Sequence, residues 1–130
     1  MNQNQSVSVN DGVASLFVGS NRILMTLLPE LANRAMAVVF EHCYMAPALD
    51  ALRAVRPDLP VIYSAHNVET TLKADLLRDR PQGATFAALI RDIEQQLIAQ
   101  ASLIAGTGKT PISGFGRAKA RLDRAGHGRP

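Results

Sequence analysis

The sequence predicts an α/β fold, with a parallel sheet flanked by helices. Three short β-rich apolar runs carry this reading: Ala37–Phe40, Val61–Ser64 and Ser102–Ala105. The stretches between them place apolar residues at the three- and four-residue spacing of amphipathic helices. The resulting order is strand, helix, strand, two helices, strand, and helical connections of that length join parallel strands rather than hairpins.

The elements follow in chain order. Residues 1–20 are a poorly defined segment, with a short apolar stretch from Val13 to Val18. Ile23–Arg34 reads as a helix burying Leu24, Leu27, Leu28 and Leu31, with Pro29 kinking it or ending its first half. Ala37–Phe40 is an unbroken apolar run, the pattern of a strand buried on both faces. Met45–Val55 is a helix with Pro47 in its first turn and Leu49, Leu52 and Val55 on one face. The Arg56–Pro60 segment stops it, because each proline disfavours helix in the residue before it.

After the second strand, Asn67 is a candidate N-cap for a helix carrying Val68, Leu72 and Leu76. Arg80–Gly83 is a loop, and Thr85 can cap a longer helix reaching Gln100. Phe86, Leu89, Ile90, Ile93, Leu97 and Ile98 form its stripe, with Glu94 at the edge as a structural carboxylate that pairs with a base or caps a neighbouring backbone. The domain organisation is therefore a segment 1–20, a partial α/β domain 21–105 and a basic Gly/Arg-rich tail 106–130 that is expected to be disordered.

Composition bounds the function. The 130 residues are 47% hydrophobic and 19% charged, which is globular, and no apolar run approaches the length of a membrane span. No basic flank leads into an apolar stretch at the start, and the lone cysteine, Cys43, fits a reducing compartment; a cytoplasmic location is expected. The net charge of +3 is uneven. From Ala105 to Pro130 there are six bases and one acid, so the preceding residues hold eight bases and ten acids. The functional reading of such a tail is nucleic-acid or peripheral membrane contact, and the bland one is a solvated terminus. Nucleic acid is not an expected partner, since aromatics are only 5% and Trp is absent.

Ligands of open parallel sheets sit beyond the carboxyl ends of the strands. His42 follows the first strand, His66 the second and Thr107 the third, so all three reach one edge if the strands are neighbours. Imidazole can donate, accept or shuttle a proton. His66 also precedes a helix whose free N–H groups favour an anionic or hydroxyl-bearing ligand. Glu69 reads as a first-turn acid favoured by the helix dipole. A metal site is not expected: His42 and Cys43 are adjacent and point apart, and no paired ligand spacing is present. Gly106–Thr110 has the look of a phosphate-binding loop but lacks its leading glycine, that position being Leu103.

Three segments together resemble a known family. The strand and His-x-x-x-x-Pro of Ala37–Leu49, the strand ending in His66-Asn67-Val68-Glu69, and the helix-to-strand joint of Asp92–Ile104 are similar to family 4 glycosyltransferases. Ser102 stands where that family usually has Asp. The resemblance covers about residues 28–107 and implies one Rossmann-like half, the acceptor side, of a retaining GT-B enzyme moving a sugar from a nucleotide-sugar donor to a hydroxyl acceptor. It implies His66 as the catalytic residue near the reacting carbon, with His42 lining the same cleft; together with the sheet-edge reading, His42, Asn67, Glu69 and Thr107 are expected in substrate binding, with no metal and no cofactor. The family's opening glycine-rich loop and donor-binding domain are not evident. The expectation is thus a truncated or frame-shifted half, or a remnant, inactive unless a complementary domain supplies the donor. A non-catalytic module binding a small ligand or glycan is the alternative.

Overall fold

The computed structural model describes residues 10–106, and the architecture is that of those residues. The elements are α1 (Asn10–Ser15), a 3-10 turn (Val18–Ser20), α2 (Arg22–Arg34), β1 (Val38–Phe40), a second 3-10 segment (Cys43–Ala48), α3 (Leu49–Val55), β2 (Val61–Ala65), α4 (Glu69–Leu76), α5 (Gly83–Gln100) and β3 (Leu103–Gly106). The strands form one sheet in the order β1-β2-β3, with both pairings parallel. The predicted α/β class and parallel sheet are therefore present, and Thr107 and the tail lie outside the described residues.

One face of the sheet carries the core. Phe40, Tyr63 and Ile104 lie in register across the three strands on that face. They join a cluster with Leu49 and Leu52 of α3, Ile90, Leu97 and Ile98 of α5, and Cys43 and Ala46 of the 3-10 segment. Two arginines tie its margins together. Arg53 donates to the carbonyls of Leu59 (2.6 Å) and Gln100 (3.3 Å), and Arg56 to the carbonyl of Ala32 (3.2 Å).

The opposite face differs from expectation. Val39 and Leu103 flank Ile62 in register there, and they are 55% and 57% exposed. The first strand is thus not buried on both faces. With strands laid down in chain order, crossovers of one hand deliver every connecting helix to the same side. An apolar run reports hydrophobicity but not that order.

The helices show similar corrections. α2 runs through Pro29 without ending, and it buries Ala32 with Leu24 and Leu28 half-buried, while Leu27 and Leu31 are exposed. The expected Met45–Val55 helix is a 3-10 segment holding Pro47 followed by α3, with Leu49 and Leu52 buried as the spacing requires. α5 begins at Gly83 behind Gln82, whose φ is 58°, so Thr85 lies inside it. A Cβ on Gly83 would overlap the Leu77 carbonyl oxygen, which makes that position one for glycine. Residues 10–20 also hold structure. α1 packs on the 3-10 segment and α5, and Gly12 allows the approach, since a Cβ there would overlap the Phe86 ring.

The phase of α4 is the largest surprise. Its predicted apolar row turns outward, with Leu72 and Leu76 exposed, while Glu69 and Lys73 are only 7% and 8% exposed. The buried row, Glu69, Lys73 and Leu77, follows from polar contacts made at the helix start.

Candidate functional site

Parallel pairing of β1 with β2 brings their carboxyl ends to one edge. His42, two residues past β1, and His66, the residue after β2, stack there with ring centroids 4.9 Å apart and planes 24° from parallel. Both residues are exposed. Tyr44 continues the row, its ring centroid 6.5 Å from that of His42. Cys43, between them in sequence, turns into the core and is fully buried, as expected for neighbours on an extended chain.

A buried polar network supports this row. The Tyr44 hydroxyl donates to Glu69 Oε2 at 2.7 Å. Glu94, projecting from α5 and 1% exposed, accepts from the Tyr63 hydroxyl (2.9 Å) and from the backbone N–H groups of Glu69 (3.0 Å) and Thr70 (2.8 Å). The Thr70 hydroxyl also donates to it. One carboxylate therefore holds both the strand before the His66 loop and the helix after it. This is the backbone-capping role expected of Glu94.

That arrangement corrects two expectations. The N-cap of α4 is Val68, without a side-chain cap, and Asn67 is an exposed loop residue. The N–H groups of Glu69 and Thr70, expected to face an anion, are satisfied by Glu94. Glu69 is the first-turn acid expected of it, and it is also a buried acceptor for Tyr44.

Ionisation at the site follows from burial beside these acids. The Cys43 thiol is pushed well above its usual range, first by burial and then by the charges of Glu94 and Glu69, so it remains a protonated thiol and is no nucleophile at neutral pH. The Tyr44 phenol is pushed up by burial and by its hydrogen bond to Glu69, and the Tyr63 phenol by burial and the charge of Glu94. Both stay donors. The inner side of the rim holds the Glu69 and Glu94 carboxylates, with Lys73 buried on the same α4 row as Glu69.

The structure thus brings His42 and His66 together, joins Glu69 to them through Tyr44, and leaves Asn67 at the rim. Sequence reasoning missed Tyr44, Tyr63 and the α1 residues Asp11 and Ser15, which line a cavity beside His42. Asp11 and Ser15 are four apart on one helix face, a spacing readable only once α1 is known. Among the described residues no three metal-ligating side chains converge, and no helix is long and apolar enough to cross a membrane. Compared with protein-family models, curated proteins and solved structures, the chain matches none.

Proposed function

We propose that the His42–His66 edge is the acceptor-side half-site of a retaining, GT-B-type glycosyltransferase, which moves a sugar from a nucleotide-sugar donor to a hydroxyl acceptor. The observation that carries the reading is the stacked imidazole pair beyond the carboxyl ends of two adjacent parallel strands. Ligands of open parallel sheets lie there.

His66 is the residue nearest the reacting sugar in this reading. Its ring can donate one hydrogen bond and accept another, and stacking on His42 restricts its plane. Glu94 fixes the loop that carries it, and Tyr44, held by Glu69, backs His42. Stabilisation of the departing diphosphate falls to a complementary donor-binding domain.

A second reading, a non-catalytic module for a small ligand or glycan, is favoured by one observation. The two helix N–H groups best placed for an anion are already occupied by Glu94. A single assay separates the two. The purified chain is incubated with nucleotide sugars and hydroxyl acceptors, alone and with a donor-binding domain added. Transfer that needs the added domain and is lost in His66→Ala supports the first reading. Glycan binding without turnover in either case supports the second, and robust transfer by the chain alone contradicts both.

A further inference from the structure

The cavity on the α1 side of His42 has a volume of about 290 Å³, and Asp11, Ser15, Val18, His42, Tyr44 and Met45 line it. That is the small end of the range for ligand pockets, sized for a single ring rather than an extended cofactor. Its walls combine apolar surface with a carboxylate, an imidazole and a phenol ring. Beside these stands a feature that the fold itself leaves unexplained. The Ser15 hydroxyl is buried, with Ser15 only 1% exposed, and it has no hydrogen-bond partner among the described residues. Buried hydroxyls are nearly always paired, and an unpaired one signals a missing partner.

From this we infer that the cavity is a binding subsite for a small, uncharged, polyhydroxylated ligand about one sugar ring in size. A hydroxyl both donates and accepts, so a ligand hydroxyl satisfies Ser15 in either direction. Asp11 accepts hydroxyl protons and disfavours anionic ligands. The Tyr44 hydroxyl spends its proton on Glu69, which leaves its oxygen lone pairs as acceptors. The apolar face of a ring lies against Val18 and Met45. Calling this ligand the sugar acceptor rests on the glycosyltransferase reading; the cavity shares His42 and Tyr44 with that site but not His66.

The test uses the whole chain, titrated with neutral monosaccharides (glucose, galactose and mannose) and separately with inorganic phosphate and an alkylammonium ion, followed by amide NMR shifts. Saturable monosaccharide binding that shifts Asp11, Ser15 and His42 is expected. Ser15→Ala should weaken it roughly five- to tenfold, the worth of one hydrogen bond. This variant removes only an unpaired group, so its unliganded thermal stability should be unchanged or slightly raised. Asp11→Asn should weaken binding as well, whereas Arg78→Ala, at an exposed position outside the cavity, should leave it intact. Monosaccharide binding weakened in Ser15→Ala, with no sugar transfer under any condition, keeps the subsite and sinks the enzyme reading. Transfer whose acceptor KM ignores Ser15→Ala does the reverse. No saturable monosaccharide binding, preference for phosphate or alkylammonium, or equal affinity in Ser15→Ala overturns the inference.

Discussion

Glu94 accepts the backbone N–H of Glu69 at 3.0 Å, so a carboxylate from the middle of α5 starts α4. The same carboxylate takes the Tyr63 hydroxyl from β2. The loop carrying His66 is therefore tied at both ends to one buried group, and the placement of the imidazole depends on a residue far from it in sequence.

Replacing Glu94 with Ala should leave the buried backbone N–H groups of Glu69 and Thr70 unpaired. The expected cost is about 3 kcal/mol or more, since each unsatisfied buried group costs roughly 1–3 kcal/mol. Glu94→Gln retains an acceptor oxygen and should cost clearly less. Urea denaturation measures both, and equal small effects would show that the network carries little stability.

Tyr44→Phe removes the hydroxyl that donates to the buried Glu69 carboxylate. A loss of roughly 1–3 kcal/mol is expected in thermal or urea unfolding. The His42 ring resonances should also shift, because Tyr44 backs that ring. An unchanged melting temperature would show that Glu69 finds another partner without cost.

Stability should fall in alkali. Cys43, Tyr44 and Tyr63 have their ionisation pushed up, chiefly by burial, so the folded chain keeps protons that the unfolded chain releases. Where the unfolded state binds fewer protons, stability declines as pH rises. Stability is then intact below about pH 8.5 and lost progressively above it, the thiol first and the phenols from about pH 10. Cys43→Ala should move the onset toward the phenol range. A denaturation midpoint that stays flat through alkaline pH would contradict this account.

On α2, Leu28 packs against the core while Leu31 is 61% exposed. Leu28→Ala should destabilise by about 1–3 kcal/mol, whereas Leu31→Ala should stay within about 0.5 kcal/mol. Equal costs, read from urea midpoints, would mean that the outer leucine row is covered in solution.

Much of this was legible in the sequence where local pattern and final packing agree. The α5 stripe of Ile90, Ile93, Leu97 and Ile98 is buried as spacing demands. The strand order alone put His42 and His66 at one edge. The failures share a cause, which is that non-local contacts decided them. In α4 the apolar row Val68, Leu72 and Leu76 invites burial, but Glu94 and Tyr44 fix the opposite phase by engaging Glu69 and Thr70. α1 has too few large apolar residues to show a stripe, and its seat depends on Gly12 meeting Phe86. Val39 is exposed because of where β1 lies in the sheet, which no three-residue run encodes.

The central claim is that His42 and His66 meet at the carboxyl ends of parallel neighbours, and nuclear Overhauser contacts test it most directly. The expected result is a cross-peak between the two imidazole rings, together with parallel cross-strand contacts between β1 and β2 in the Phe40–Tyr63 register. Antiparallel cross-strand contacts, or two imidazoles that each contact other residues but never one another, would contradict it.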